Sequence, residues 1–139
     1  MDKALNYLSL ARKGGMAELG EEPVGAAARA GKAYAIVVAS DASDHTWRRA
    51  KSFAAGTDQQ CIRLPYSKDE VGMAIGRTSL AIAAITDVSL ALALVRALPE
   101  PDKAALDVLE QKSSKAQKRK AEAKAHLKNL RKGRKKVRM

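Results

Sequence analysis

The side chains that most often carry catalysis are few in this chain and widely spaced. There are two histidines, His45 and His126, and one cysteine, Cys61. Neither histidine has a carboxylate and a nucleophile at the spacing of a catalytic set, and the two are too far apart for a metal cluster. Cys61 falls within a short predicted strand, where a buried and unreactive thiol is the better interpretation. We therefore predict no enzyme activity, no catalytic residue, no metal site and no cofactor.

Two adjacent carboxylate pairs, Glu21-Glu22 and Asp69-Glu70, each fall in the first turn of a predicted helix. Negative charge is favourable at a helix N-terminus, so simple capping explains both pairs. Glu21 and Glu22 have a second interpretation, because carboxylates accept hydrogen bonds from the amino edges of guanine or cytosine. The glycines lack the spacing of a phosphate-binding loop. The sequence alone leaves capping and base reading both open.

The positive charge is concentrated at the C-terminus. Residues 1–98 carry a net charge of +2 and residues 99–110 a net charge of −3, whereas residues 111–139, the basic tail, carry +12. A nearly neutral domain with a polycationic tail indicates a nucleic acid or another anionic surface as the partner. The tail has few bulky apolar residues, so we predict that it is disordered or a frayed helix in isolation.

A stretch from Gly20 to Ser43 organises the predicted fold. Its pattern predicts a helix over residues 21–30, ended by Gly31, and then an apolar strand over residues 34–39. Such a strand has no polar face to present to water, so it is expected to be central in a sheet covered on both sides. Alanines and Gly25 are expected to let the helix lie close to the sheet.

The rest of the pattern alternates helices and strands. It predicts helices over residues 3–13, 44–55, 67–75 and 88–98 and strands over residues 16–19, 61–64 and 80–85. The expected fold class is α/β, a three-layer α/β/α sandwich with a mixed four-stranded sheet. We expect one sandwich domain over residues 1–98 and a linker with the Lys/Arg-rich tail over residues 99–139.

The sequence also favours a cytoplasmic setting. No apolar run approaches the roughly 20 residues of a membrane span, the first residues lack the pattern of a secretory signal, and a lone cysteine fits a reducing compartment. At one end of the sandwich, the start of the second helix is expected to meet the turns at residues 41–44 and 66–68 and the loop at residues 76–79.

Several of these segments together resemble the L-seven-Ae ribosomal protein family, in its bacterial ribosomal-protein-like branch. The resemblance rests on Gly20-Glu21-Glu22, Gly31-Lys32-Ala33, the strand ending at residues 39–43, residues 71–76 and a last strand leading into Thr86-Asp87. It spans roughly residues 3–98. It implies an RNA-binding domain without catalysis, which binds kink-turns by reading guanine edges at the start of the second helix and packing the loop before the last strand on a flipped base.

The resemblance and the basic tail together assign the expected RNA contacts. They are Gly20, Glu21, Glu22, Arg12, Lys13, Lys32, Arg77, Thr78 and Ser79 in the domain and Lys118, Arg119, Lys120, Arg131, Lys132, Arg134, Lys135 and Lys136 in the tail. The family often has Asn where Glu22 stands and Lys where Ala26 stands. The loop at residues 77–79 also lacks the aliphatic residues that the family places against the flipped base.

We therefore expect a ribonucleoprotein component of translation, which binds structured RNA such as a kink-turn, with ribosomal RNA and the ribosome or its assembly intermediates as partners. No membrane and no small-molecule substrate is expected. Two alternatives remain open from the sequence. In the first, the domain would be an RNA-recognition module that acts with a separate RNA-modifying enzyme. In the second, it would be a protein-interaction module that the tail tethers to an anionic surface.

Overall fold

A computed structural model describes the backbone of residues 2–137 and the side chains of residues 2–127. Helices and strands alternate along most of the chain, as the sequence pattern predicts. The helices are α1 (Lys3–Lys13), α2 (Glu21–Arg29), α3 (Asp44–Ala54), α4 (Lys68–Ala74), α5 (Val88–Ala97) and α6 (Lys103–Val137). The strands are β1 (Ala17–Leu19), β2 (Ala35–Val38), β3 (Gln60–Arg63) and β4 (Ile82–Ile85).

The four strands form one mixed sheet in the order β1-β4-β2-β3. β4 runs antiparallel to both β1 and β2, while β3 runs parallel to β2. The predicted fold class, including the mixed four-stranded sheet, is confirmed. β2 lies in the interior of the sheet and all four of its residues are buried, and β1 is the edge strand predicted over residues 16–19.

Alternate residues of β2 face two separate cores, as the pleat of a strand requires. Ile36 and Val38 point into a core that also contains residues of α2 and α3. Ala35 and Val37 point into a larger core on the other face, together with residues of α1, α4, α5 and α6. The sheet is therefore the middle of three layers, and a strand without polar side chains can only be placed there.

Polar caps fix where the helices begin. The side chains of Asp2, Ser43 and Asp87 each accept a hydrogen bond from a backbone amide in the first turn of α1, α3 and α5. Ser67 and Glu70 form the predicted capping box at the start of α4, with bonds of 3.1 and 3.2 Å. These short-range signals are readable in the sequence because both partners lie within three positions.

The small face of α2 differs from the prediction. Ala27 and Ala28 are buried against the sheet, but Ala26 and Ala30 are exposed. Gly25 is buried against α3 instead, and a Cβ atom there would lie 3.0 Å from Cζ of Phe53. Close approach at Gly25 thus sets the spacing between two helices of the same layer.

The basic tail continues a helix, α6, whose first turns are docked on the domain. Asp102 caps α6 by accepting bonds from the amides of Ala104 and Ala105. Ala105 and Leu109 are fully buried in the larger core, and Ser113 is buried as well. The buried stripe that fixes α6 is short. It consists of Ala105, Leu109 and Ser113, with Leu106 packed beside it, and for that reason composition does not predict how far the packing extends.

Gly72 allows the chain after α4 to return directly against the helix. A Cβ atom at Gly72 would lie 2.6 Å from the backbone nitrogen of Ser79 and 2.7 Å from its Cα atom. Because these are backbone atoms, we predict that Gly72→Ala lowers the free energy of unfolding by about 1–3 kcal/mol. Urea denaturation of the two proteins measures the difference.

Gly25→Ala is the matched control, since it is also a glycine-to-alanine change inside a helix. There the new methyl group meets only the ends of side chains, the half-buried Phe53 ring at 3.0 Å and Nη1 of Arg29 at 3.3 Å, and both can shift. The gain in helix propensity, about 1 kcal/mol, then offsets most of the cost. A Gly72→Ala protein as stable as the Gly25→Ala protein would show that the loop after α4 is not held by this contact.

Candidate functional site

The turn before α2 and the start of β4 lie at one end of the sheet. The amide of Gly20 donates to the carbonyl of Ile82 at 3.0 Å. Immediately beside them, the amide of Ala39, just after β2, donates to the carbonyl of Ala81 at 2.9 Å. The segments that follow β1 and β2 therefore meet the segment that precedes β4 at the same end of the sheet.

The segment after β3 joins them through three further bonds. The amide of Ser40 donates to the carbonyl of Tyr66 at 2.8 Å, and the amide of Lys68 donates to Asp41 Oδ1 at 2.7 Å. The amide of Leu80 donates to the carbonyl of Lys68 at 2.9 Å. We call this end of the sheet, formed by residues 20–22, 39–43, 64–68 and 76–81, the loop edge. The meeting of these turns agrees with the expectation from the sequence.

Gly20 gives the loop edge its free backbone donors. Its φ of 96° lies in the region that favours glycine, and it caps α2 without any side-chain hydrogen bond. Within residues 2–127, the amides of Glu21 and Glu22 have no acceptor, and Pro23 has no amide hydrogen. The N-terminus of α2 thus presents two amides next to two carboxylates.

The two carboxylates have different surroundings. Glu21 Oε1 lies 2.6 Å from Arg49 Nε and 3.9 Å from His45 Nε2, so α3 holds it in place. Arg49 also lies over the Phe53 ring, with 5.1 Å from Cζ to the centroid. Glu22 is exposed and has no ion-pair partner among the described side chains. Of the two, Glu22 is the carboxylate that is available to accept new hydrogen bonds.

The loop at residues 76–79, here the second loop, presents polar side chains from a fixed backbone. The amide of Arg77 donates to the carbonyl of Gly72 at 2.8 Å, and Ser79 packs against Gly72. The side chains of Arg77, Thr78 and Ser79 are all exposed. α4 therefore positions the second loop, while its side chains remain free to contact a ligand.

Arg12 and Lys13 lie beside this loop, although they are distant in sequence. Both are exposed residues in the last turn of α1. Together with Gly76 and neighbouring residues of α1 and α4 they line a shallow cavity of about 260 Å³. Arg12 and Lys13 of α1 and Arg77 of the second loop therefore place three cations near the C-terminal end of α4.

Lys32 is the one domain residue of the predicted set that lies far from the loop edge. It follows the C-terminus of α2, and the nine residues of that helix separate it from Glu21 by about 14 Å. Next to it the buried side chain of Gln59 accepts from the amide of Ala33 at 2.9 Å and donates to the carbonyl of Ala28 at 3.1 Å. We call residues 32–34 and 57–59 the opposite edge.

The basic tail supplies a separate set of cations. Lys118, Arg119 and Lys120 are exposed on α6, within a run from Gln117 to Leu127 in which every residue is exposed. The remaining predicted contacts fall on side chains outside the described residues, namely Arg131, Lys132, Arg134, Lys135 and Lys136.

Three cations at or next to the loop edge were not predicted from the sequence. Arg49 and Lys68 are not among the predicted contacts, and neither is Arg63, which donates to the carbonyl of Ser40 at 3.2 Å and lies over the Trp47 ring. Arg49 falls on the outward face of α3, nearly two turns after the Ser43 cap, and that position was the available signal.

Three titratable groups near the loop edge have shifted pKa values. Burial raises the pKa of the Cys61 thiol to about 11, so it remains protonated at neutral pH. The Tyr66 hydroxyl donates to Asp2 Oδ1, which lowers the pKa of Asp2, and burial together with this bond raises the pKa of Tyr66. Among the described side chains, no three His, Cys, Asp or Glu lie close enough to hold a metal ion.

None of the helices in the described part of the chain combines the length and the apolar composition that a membrane span needs.

Two comparisons based on sequence give no match, neither to a family model nor to a curated protein. Solved structures do match. A protein of unknown function from Bacillus halodurans C superposes with a TM-score of 0.67 at 23% identity, over 72% of this chain and all of that one. An RNA-binding protein of 15.5kD from Giardia lamblia superposes with a TM-score of 0.55 at 15% identity, over 78% of this chain and 80% of that one. Identities this low concern the fold, and this chain shares its fold with both proteins.

Proposed function

We propose that this protein binds structured RNA without catalysis, with the loop edge as the recognition surface and the basic tail as a sequence-independent contact. The observation that carries the proposal is the meeting of four segments at the loop edge, where two free amides, an unpaired carboxylate and exposed cations lie on rigid backbone. The Giardia lamblia protein that shares the fold is an RNA-binding protein, and this likeness supports the same function.

The proposed division of work follows from the surroundings of each group. Glu22 accepts hydrogen bonds from the amino edges of guanine, because its carboxylate has no ion-pair partner in the described chain. Arg77, Arg12 and Lys13 contact phosphate at the adjoining end of α4. Glu21 keeps Arg49 beside the N-terminus of α2, so its role is to position that cation and not to read a base.

An RNA that fits these groups contains unpaired or non-canonically paired purines, because these leave the amino edge of guanine open to Glu22. A kink-turn, with its sheared G·A pairs, is the proposed target, in line with the family resemblance. Proteins recognise sequence in RNA mainly at such loops and bulges, since side chains cannot enter the deep major groove of the A-form helix. We further propose ribosomal RNA as the source and a role on the ribosome or during its assembly.

Discrimination between RNA shapes tests the loop edge. We predict that Glu22→Ala combined with Arg77→Ala reduces the preference for a kink-turn over a plain duplex by roughly tenfold or more, because one good base-edge pair contributes about 1–3 kcal/mol. Fluorescence anisotropy with both RNAs at one salt concentration measures the ratio of dissociation constants.

A matched control changes a glutamate and an arginine away from the loop edge. Glu110→Ala with Arg96→Ala removes an exposed pair between α5 and α6, whose atoms lie 3.1 Å apart. This variant should keep the wild-type preference, because such exposed pairs contribute at most about 1 kcal/mol to stability. Equal discrimination by the wild type and the Glu22/Arg77 variant would place the reading surface elsewhere.

The salt dependence of binding tests the basic tail. We predict that deleting residues 117–139 lowers the affinity for all RNAs and flattens the plot of log K against log salt. The slope should fall by roughly 0.7–0.9 for each phosphate that the shortened protein no longer neutralises. The cut leaves the buried residues Leu109 and Ser113 in place, and the described residues that it removes, 117–127, are all exposed.

A control separates the charge of the tail from its helical form. Ala121→Gly, Ala123→Gly and Ala125→Gly weaken α6 by about 1 kcal/mol each while leaving every cation in place. The salt slope of this variant should stay near that of the wild type. An unchanged slope after deletion of residues 117–139 would rule out the phosphate contacts assigned to the tail.

A further inference from the structure

The two proposed RNA-binding surfaces, the loop edge and the exposed part of α6, lie at opposite ends of the sheet. The loop edge lies where β2 ends, next to Ala39 and Ser40. α6 instead passes the opposite edge, where Lys112 Nζ lies 2.9 Å from Asp58 Oδ1 and over the Tyr34 ring at 5.3 Å from its centroid. From there the chain continues as helix, away from the residues that form the loop edge.

Packing fixes the direction in which α6 leaves. Ala105, Leu109 and Ser113 are buried on three successive turns, so the helix cannot swing about its start. The hydrogen bond from Lys112 lowers the pKa of Asp58 and adds a polar contact at the last docked turn. The exposed residues from Gln117 to Leu127 then extend about 16 Å beyond the domain along the helix axis.

An acidic stretch separates the two basic surfaces along the α5–α6 side. Residues 99–110 contain Glu100, Asp102, Asp107 and Glu110 against the single cation Lys103, and all five are exposed. Arg96 pairs with Glu110 at 3.1 Å, which leaves Glu100, Asp102 and Asp107 against Lys103. This remaining negative charge repels phosphate, so an RNA strand bound at the loop edge is not guided along this side to the tail.

We propose that one chain holds two separate RNA segments at once, a structured internal loop at the loop edge and an RNA helix of any sequence along the exposed part of α6. This bridging activity rests on the proposed function and extends it. The main partner of the tail is then a second RNA segment, and the tail adds only general electrostatic attraction to the affinity for the recognised element. It recruits a second, sequence-independent polyanion on the far side of the domain.

The α2–α3 side offers the competing path for a single RNA. Arg29, Arg48 and Lys51 are exposed there and could carry one strand from the loop edge to the opposite edge, over the roughly 14 Å length of α2. A matched pair of variants distinguishes this path from a bridge, because each removes three cations from one side only.

The experiment mixes full-length protein with two RNAs, a donor-labelled hairpin containing an internal loop with tandem G·A pairs and an acceptor-labelled blunt duplex. We expect energy transfer that requires the protein, and native mass spectrometry should show one chain with one copy of each RNA. In the first variant Lys118, Arg119 and Lys120 become Gln. Its transfer should require roughly tenfold or more protein, and its affinity for the duplex alone should fall by a larger factor than its affinity for the hairpin alone.

In the second variant Arg29, Arg48 and Lys51 become Gln, and its transfer should match that of the wild type. Displacement of the hairpin by the duplex, mole for mole, would overturn the bridge while leaving RNA binding intact. Loss of transfer in the second variant but not in the first would also overturn it, in favour of one RNA along α2 and α3. If neither RNA binds, the proposed function fails together with this inference.

Discussion

The burial of β2 on both faces is the constraint on which the rest of the structure depends. Its four residues have no polar side chain, so helices must cover both faces, and the strand must pair on both edges. Because β2 pairs parallel with β3 and antiparallel with β4, the ends of β2 and β3 lie beside the start of β4. The loop edge is a consequence of this pairing, and it is rigid because backbone hydrogen bonds, at Ala39 and Ser40 among others, close it.

The proposed RNA binding depends on which polar groups of this scaffold are left without a partner among the described residues. The 2.6 Å contact between Glu21 and Arg49 uses one carboxylate of the pair to hold a cation beside the start of α2. Glu22 keeps its hydrogen-bonding capacity, and Gly20 leaves two amides free because it has no side chain to cap the helix. An exposed ion pair of this kind contributes little stability, so its main effect is on the orientation of Arg49. The proposed site therefore uses the Glu22 carboxylate and the amides at the start of α2, which make no hydrogen bond within the described part of the fold.

Much of the fold is readable from short-range patterns, whereas the site is readable only in part. Ser67 and Glu70 are three positions apart, and the apolar run of β2 is continuous, so both signals predict structure directly. The pairing of Glu21 with Arg49 joins positions 28 apart, which no local pattern encodes. Lys32 stands next to α2 in sequence, but the length of that helix carries it to the opposite edge. The start of α6 is readable in part, since Leu106 and Leu109 both pack against the larger core, but the buried Ser113 gives no apolar signal for how far the docking extends.

Amide chemical shifts of the labelled full-length protein, followed by NMR during titration with an RNA hairpin that contains tandem G·A pairs, test the central claim most directly. If the loop edge recognises the RNA, the largest shifts at equimolar RNA will fall on Gly20, Glu22 and residues 77–79, while Lys32 changes little. Shifts confined to residues 117–127, with Gly20 and Glu22 unchanged, would contradict the account, since the RNA would then be held by the charge of the tail alone.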